Sequence, residues 1–364
     1  MSYMPNIAIH PGKVLERIIL QANMTQKELS LRMGLTEKHI SQIINGEASV
    51  TTETAVLFEL VLGGSSKFWL NLEADYKEAK YRILRQSLLK KEITLLKNFP
   101  YKELEKRGYF EKTEKDEQKV EYLQKFFSVS SLLTIEKIEK VAFRKRQENE
   151  IKNGFIAAWL RCGELEAKKV DLPEFNEQLL KDNIIKIREL IPDNELNYLS
   201  KIRDLLNEAG VSVVFIKHFQ GTKINGAVRW IGNNPSIQLS FFNPWIDIFV
   251  FTLFHEIGHI LLHGKKEKFI EIEDYNAFID YNKENEANKF ATNFLIKEKE
   301  FAKFVVNKDF TIENIIAFAN AQKIDPSIVA GRLCHESLVT WAFVSSLRKR
   351  FNKDVTNEFC KVTI

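Results

Sequence analysis

The feature that most constrains the fold is a group of polar residues inside the otherwise apolar stretch 249–262. His255, Glu256 and His259 lie there in H-E-x-x-H spacing. At 3.6 residues per turn, the two imidazoles project from the same helix face and can bind one metal ion. Glu256 lies about 100° further round, where it can reach a water molecule at that ion without ligating it. Three of the seven histidines lie at 255, 259 and 263, which disfavours a helix with two unrelated histidines.

A zinc site needs a third protein ligand, with water in the fourth position if the site is catalytic. His263 lies at i+8, about 12 Å along the axis, so one helix cannot wrap three histidines around one ion. We therefore expect a supporting or structural role for His263. In segment 283–295 the apolar residues follow helical spacing, and Glu284 and Glu286 both flank the stripe. Periodicity alone does not choose between these carboxylates, although it puts Glu284 nearer the buried side.

Two separated motifs resemble the ImmA/IrrE family of zinc metallopeptidases. The first is the segment 254–259, and the second is 286–291, which reads E-A-N-K-F-A. The resemblance implies that His255, His259 and Glu286 are the ligands of Zn2+. It also implies that Glu256 is the catalytic general base of a gluzincin-type endopeptidase. Three residues are candidates for stabilising an oxyanion, and nothing in the sequence ranks them: Tyr275, Tyr281 and His335.

Residues 25–46 predict a helix, a glycine turn and a second helix. Thr25 with Glu28 forms a capping box, Gly34 supplies the turn, and Thr36 caps the second helix. An ordinary pair of surface helices is the alternative, and charge does not decide, because basic and acidic residues are roughly balanced over residues 1–75. Side chains suited to base edges and phosphates are the DNA-binding candidates: Gln26, Thr36, Lys38, His39, Ser41, Gln42 and Asn45.

The N-terminal region resembles the HigA-type antitoxin branch of the XRE-like helix-turn-helix proteins. The similarity runs from His10-Pro11-Gly12 to Phe68-Trp69-Leu70. It implies binding to a double-stranded DNA operator, and such modules usually bind palindromes as dimers, so a homodimer is implied as well. It also raises a cognate toxin as a protein partner.

The length of 364 residues predicts two or three domains. We expect a helix-turn-helix domain at 1–76, a helical middle region at 77–200 and a zincin-like domain at 201–364. The β-rich runs 211–216, 227–231 and 237–241 predict a small antiparallel sheet ahead of the H-E-x-x-H helix. The predicted fold class is α+β and mostly helical, with a five-helix-type N-terminal domain.

Composition favours a protein of the cytoplasm. Cys162, Cys334 and Cys360 are odd in number and far apart, which suggests a reducing compartment. Residues 1–5 lack the pattern of a signal peptide, and polar residues interrupt the apolar run around Phe249, so we expect no membrane partner. The net charge of +4 is compatible with an anionic partner.

Together these features predict an antitoxin-like transcriptional regulator whose zinc metallopeptidase domain cleaves or senses a protein partner. The resemblance implies another regulator, or the protein's own N-terminal region, as the substrate. The alternative is a non-catalytic antitoxin or repressor that uses the zincin fold as a toxin-binding or sensing surface.

Overall fold

The computed structural model describes residues 8–135, 150–190, 195–264, 269–272 and 281–360. The chain divides into two compact units, Met1–Thr94 and Leu95–Ile364. Residue 76, the predicted end of the first domain, lies inside the helix Ser66–Leu95. The predicted three-part scheme stays a prediction.

The helices of the N-terminal unit confirm the predicted five-helix arrangement. They are α1 (Pro11–Gln21), α2 (Gln26–Met33), α3 (Glu37–Ile44), α4 (Thr52–Leu62) and α5 (Ser66–Leu95). Their apolar faces form one core in which Leu15, Ile40 and Phe58 are fully buried. Phe58 packs on Trp69 with ring centroids 4.7 Å apart. These contacts join α1, α3, α4 and α5 around a common centre.

The predicted start and stop signals act as expected at α2 and α3. The Thr25 hydroxyl accepts a hydrogen bond from the Glu28 amide at 3.1 Å. Gly34 ends α2 in the left-handed conformation, with φ of 68°. Thr36 then caps α3 by accepting from the His39 amide at 3.2 Å. The two helices therefore meet through a short glycine turn.

The second unit is also mainly helical. Its described α-helices are α6 (Tyr101–Lys106), α7 (Asp116–Phe127), α8 (Glu150–Ala167), α9 (Glu177–Leu190), α10 (Glu195–Glu208), α11 (Ile246–His263), α12 (Tyr281–Leu295), α13 (Glu298–Val306), α14 (Ile312–Gln322), α15 (Pro326–His335) and α16 (Lys353–Phe359). Short 3-10 turns occur at Leu96–Asn98, Leu132–Thr134 and Ser345–Leu347.

Four described strands form a mixed sheet: β1 (Ser212–Phe215), β2 (Ile224–Ile231), β3 (Asn234–Leu239) and β4 (Phe269–Ile272). Their spatial order is β1-β3-β2-β4. The prediction of an antiparallel sheet is correct for β2 with β3 but wrong for β1 with β3, which run parallel. The reason is that β3, rather than β2, lies beside β1, so that β1 and β3 point the same way. Strand β4, which the sequence analysis did not predict, pairs antiparallel with β2.

Helix α8 is attached to the sheet by polar contacts. The Trp159 indole N–H donates to the Ile216 carbonyl at 2.9 Å, and the Gln238 amide donates to the Trp159 carbonyl at 2.7 Å. Glu164 forms ion pairs with Arg161 and Lys168 of α8, and Arg229 of β2 approaches it at 3.6 Å. These contacts hold part of the predicted middle region against β2 and β3.

Helix α11 lies at the centre of the large core. It is long and apolar enough to cross a membrane, but 67% of its length is buried inside the protein. Leu253, Phe254 and Ile257 are fully buried in the same apolar cluster as β1 and β3. The helix is therefore packed as a core helix within the described part of the chain.

Glu164 should make stability depend on pH. Burial opposes its charge, but hydrogen bonds from Lys168 and Arg161 outweigh burial and lower the pKa of Glu164 from 4.5 to about 2. A lowered pKa stabilises the fold fully above pH 4.5, and the contribution is lost as the pH falls toward 2. We expect Glu164→Gln to lower the free energy of unfolding by about 2 kcal/mol at neutral pH and by less at about pH 3, measured by urea unfolding.

The matched control is Glu177→Gln. Glu177 pairs with Lys181 at 2.6 Å on an exposed helix surface, so its removal should cost less than about 0.5 kcal/mol. If Glu164→Gln lowered the free energy of unfolding by the same amount at both pH values, an ionic origin of the stabilisation would be contradicted.

Candidate metal centre and helix-turn-helix surface

The H-E-x-x-H residues lie in the buried middle of α11. His255, Glu256 and His259 are at most 2% exposed. The i and i+4 spacing brings the two imidazoles together as predicted, with their Nε2 atoms 3.0 Å apart. Such buried polar groups need partners from a neighbouring element, because burial without compensation costs several kcal/mol.

Helix α12 supplies those partners because it packs very close to α11. A Cβ atom on Gly258 would lie 3.3 Å from the Ala287 Cα and 3.1 Å from the Phe290 ring. Ala287 and Ala291 are fully buried at this contact. Small residues on both helices therefore let the backbones approach, and polar side chains of α12 reach the histidines.

Glu284 is the carboxylate that completes the cluster. Its Oε2 lies 3.2 Å from His255 Nε2, and its Oε1 lies 3.0 Å from His259 Nε2. One ligand atom from each of these three residues lies within 4.8 Å of the others, the arrangement of a metal-binding group.

Glu286, the ligand implied by family resemblance, lies elsewhere. Its side chain is 60% exposed and its Oε2 is 3.7 Å from Nδ1 of His263. The reason is the periodicity of the helix. Residues three, four and seven positions apart lie on one helix face, and Glu284 has this spacing to Ala287, Asn288 and Ala291, which face inward. Glu286 is about 200° away from Glu284 around the axis. The structure thus places Glu284, the residue that periodicity favoured, beside the histidines.

The donor set fits a divalent zinc ion. His255 Nδ1 lies 2.9 Å from Asn288 Oδ1, an acceptor, so with a metal ion bound the imidazole would donate its Nδ1 N–H there and keep its Nε2 lone pair for the ion. Ligand atoms on a tetrahedral zinc lie roughly 3.3 Å apart, close to the separations observed here. Two imidazole nitrogens and a carboxylate turned toward one point form a site that a cation stabilises.

The protonation states also suit a metal centre. Burial would raise the pKa of Glu284, but hydrogen bonds from His255 and His259 lower it to about 2. Burial lowers the pKa of His259 to about 4 and outweighs the opposing effect of Glu284. At neutral pH the carboxylate is therefore charged and the His259 imidazole is neutral, which are the forms that bind metal ions.

His263 supports the start of α12. Its Nε2 donates to the backbone carbonyl of Lys283 at 3.0 Å, next to Glu284 in the chain. Its side chain is buried, and its ring packs 5.1 Å from that of His259. The position agrees with the supporting role predicted from its i+8 spacing.

Glu256 packs directly against strand β2. A Cβ atom on Gly226 would lie 2.9 Å from Glu256 Oε1 and 2.5 Å from Thr252 Cγ2. The pairing of β2 with β4 shifts register between Ile224 and Gly226, beside this contact. The absent side chain at Gly226 therefore makes room for the Glu256 carboxylate.

A cleft of about 450 Å³ lies between α11, α12 and α15 next to the cluster. Asn288, which binds His255, lines it, as do Phe251 and Thr252 one turn before His255. Sequence reasoning did not single out Asn288, Gly226 or Thr252. The spacing of Asn288, four residues after Glu284, was the available signal.

The three oxyanion candidates have different outcomes. Tyr275 lies outside the described residues, and Tyr281 begins α12. His335 lines the cleft and packs edge-on against Trp341, with ring centroids 5.7 Å apart. None of these positions ranks the candidates, so this role stays a prediction.

The predicted DNA-binding residues lie on and around α3. Lys38, Ser41, Gln42 and Asn45 follow i, i+3, i+4, i+7 spacing and share one face, opposite the buried residues of α3. Their side chains are exposed or half-buried, as are those of Gln26, Thr36 and His39. Asn45 also donates to the Ser41 hydroxyl at 3.3 Å. The seven residues thus form a polar surface, of which Thr36 also serves as a cap.

The fold and the cluster define a protein with a helix-turn-helix unit and a zincin-like site. Comparison with known families agrees: residues 15–69 match the helix-turn-helix family, and residues 249–330 match the peptidase M78 family, described as an IrrE N-terminal-like domain. The chain carries both domains, and the second contains His255, Glu256, His259 and Glu284.

Individual relatives align with the N-terminal part. An uncharacterized HTH-type transcriptional regulator, YddM, from Escherichia coli is 29% identical over 19% of this chain and 74% of its own length. Virulence-associated protein I from Dichelobacter nodosus is 27% identical over 19% of this chain and 65% of its own. These matches leave about four fifths of the chain outside the alignment.

Two solved structures also resemble this region. A putative antidote protein of a plasmid maintenance system from Nostoc punctiforme has a TM-score of 0.21 and 26% identity, covering 22% of this chain and 86% of its own. An addiction module antidote protein of a HigA family from Coxiella burnetii has a TM-score of 0.22 and 28% identity, covering 23% and 94%.

The geometry predicts which glutamate binds metal. Glu284→Gln removes a charged donor from the cluster, and we expect zinc affinity to fall by more than about 100-fold, beyond the loss typical of outer-shell partners. Glu286→Gln should retain affinity near that of the wild type, because its side chain points to solvent. Competition with a colorimetric chelator measures both affinities, and plasma mass spectrometry gives the metal content.

The two variants carry the same chemical change two residues apart, so each is the control for the other. Loss of zinc from Glu286→Gln, with zinc retained by Glu284→Gln, would reverse the assignment and restore Glu286 as the ligand.

Proposed function

We propose that this protein is a DNA-binding transcriptional regulator, antitoxin-like in its N-terminal unit, that carries a zinc-dependent endopeptidase domain acting on a protein partner. The observation that carries the proposal is the convergence of His255, His259 and Glu284 beside the buried carboxylate of Glu256. The occurrence of this site in one chain with a helix-turn-helix domain links the peptidase to regulation.

His255, His259 and Glu284 would hold the zinc ion. When bound, zinc supplies Lewis acidity, which activates water and polarises a peptide carbonyl. Side chains of the protein orient the ligands and transfer the proton. Asn288 orients His255 through its Nδ1, and His263 holds the backbone at Lys283. Glu256 is held against Gly226 and acts as general base, taking a proton from the attacking water and passing it to the leaving amine.

The N-terminal unit would bind double-stranded DNA through α3. Lys38 supplies a positive charge for a phosphate, and Gln42 supplies a carboxamide that can pair with an adenine edge. The similarity to YddM, which is described as an HTH-type transcriptional regulator, is consistent with this role. A homodimer on a palindromic operator, a cognate toxin and a place in the cytoplasm belong to the same proposal.

Glu256→Gln tests the peptidase. Gln keeps the volume of the side chain but cannot accept a proton, so we expect zinc binding to persist and cleavage to fall by about 10²–10⁴-fold. The assay incubates zinc-loaded protein with a proteome-derived peptide library and identifies new N-termini by mass spectrometry. Glu286→Gln serves as an exposed control on the neighbouring helix and should cleave like the wild type.

The outcomes separate the two functions considered. Cleavage by wild type and Glu286→Gln, with none by Glu256→Gln, supports the peptidase. Zinc binding without cleavage by any variant overturns the peptidase and favours a non-catalytic sensing surface. Equal cleavage by Glu256→Gln would overturn the role of general base.

Two substitutions on α3 test DNA binding. Double-stranded sites are first selected from a random pool by the wild-type protein. Gln42→Ala should then cost about 1–3 kcal/mol on the selected site and relax preference at one base pair. Lys38→Ala should weaken binding to all sequences and reduce the slope of affinity against salt by about one. Fluorescence anisotropy at several salt concentrations measures both effects.

Lys67→Ala is the control for Lys38→Ala, because it removes the same charge. Lys67 is exposed at the start of α5, away from α3 in the chain. It should leave affinity and salt slope unchanged. An equal effect of Lys38→Ala and Lys67→Ala, or selected sites that do not depend on Gln42, would remove α3 from the recognition role.

A further inference from the structure

The cleft lies next to the metal cluster, although the cluster residues themselves do not line it. Asn288 lines the cleft and contacts His255, and Thr252 lies one turn before His255 on α11. The cleft continues to Ile248 on α11 and Leu295 on α12, each seven residues or about 10 Å from the site. A volume of about 450 Å³ falls in the range of ligand pockets and is large enough for an amino-acid side chain with its backbone.

Most of the exposed surface of the cleft wall is apolar. Ile248, Phe251, Leu295, Ile296 and Ile328 line it. Apolar walls favour a side chain without charge, because a charged group loses the most hydration on entry.

The charged groups in the cleft wall all form ion pairs, some of them with residues outside the wall. Asp247 accepts hydrogen bonds from Arg348 at 2.8 and 3.1 Å. Arg332 pairs with Glu298 and Glu336 and donates to the Ile296 carbonyl at 2.8 Å. Among the described lining residues, these ion pairs leave no carboxylate or guanidinium unmatched. A charged guest would therefore lose its hydration without gaining a counter-ion.

Polar groups near the metal end remain available to a ligand. Thr252 is 1% exposed, and its Oγ1 has no hydrogen-bond partner among the described residues. The carboxamides of Asn225 and Asn243 also line the cleft, and the long contact of 3.5 Å from Asn243 Nδ2 to Asn225 Oδ1 leaves their other polar atoms for a ligand. A buried hydroxyl without a partner costs about 1–3 kcal/mol, which a hydrogen bond from a guest would recover.

We propose that this cleft is the specificity pocket for an uncharged side chain of the peptide that the metal centre cleaves. Thr252, Asn225 and Asn243 hydrogen-bond the peptide groups next to that side chain, and the apolar wall takes the side chain itself. Leucine, methionine and glutamine have suitable size and no charge, whereas lysine and glutamate are rejected. The inference rests on the proposed peptidase function, to which it adds the substrate class.

The test uses the full-length, metal-depleted protein, so that it does not depend on zinc or on cleavage. The probes are N-acetyl, N′-methylamide derivatives of leucine, methionine, glutamine, lysine and glutamate, which share one backbone. Saturation-transfer NMR measures their binding. We expect the three uncharged probes to bind at least about tenfold more tightly than the two charged probes, a difference of about 1.4 kcal/mol.

Three variants, one of them a control, locate the binding. Thr292→Trp places an indole on the cleft wall and should weaken binding of the uncharged probes at least tenfold. Asn293 is the next residue on α12 and is exposed, so Asn293→Trp should leave their binding unchanged. Thr252→Val keeps the shape but removes the hydroxyl, and should weaken binding about fivefold. Because Thr252→Val is nearly isosteric, it remains informative if Thr292→Trp does not fold.

Equal binding of charged and uncharged probes, absence of binding by all five, or full binding by Thr252→Val would overturn the pocket assignment. Zinc binding and library cleavage, measured separately, would still stand in that case. Conversely, selective probe binding in a protein that neither holds zinc nor cleaves peptides would retain the pocket and reject the peptidase.

Discussion

The second unit depends on how a fully buried helix accommodates ionisable side chains. Two imidazoles and a carboxylate on α11 sit in an apolar core, where each uncompensated polar group costs several kcal/mol. Helix α12 provides the compensation through Asn288 and Glu284. Strand β2 leaves space for Glu256 by having glycine at position 226. The sheet, α11 and α12 therefore form one arrangement whose geometry is set by the need to satisfy these buried groups.

Much of this arrangement follows from the sequence. The H-E-x-x-H spacing predicts the pairing of His255 with His259, and the cap residues Thr25 and Thr36 predict the helix starts that the structure shows. These features are local, because spacing within one helix or one turn determines them. The fold class was predictable for the same reason.

The features that the sequence did not determine are those set by contacts between distant segments. The parallel pairing of β1 with β3 depends on where a hairpin docks, and strand patterns carry no such information. The position of Glu284 depends on how α12 is rotated about its axis against α11. Family resemblance implied Glu286 as the ligand, whereas helical phase favoured Glu284. The roles of Gly226 and Thr252 can be recognised only when β2 is seen to lie against α11.

The contact between Gly258 and Ala287 bears on which metal ion the site accepts. The imidazoles belong to one helix and the carboxylate to another, so the distance between the helices sets the span of the donor atoms. A Cβ atom on Gly258 would already crowd Ala287, so the span has little room to shrink, and widening it would separate buried side chains on both helices. The packing of the two helices therefore limits the radius of the ion that the cluster can hold. A calcium ion prefers six to eight oxygen ligands at about 2.3–2.6 Å, so a cluster of two imidazoles and one carboxylate at this short span suits it poorly.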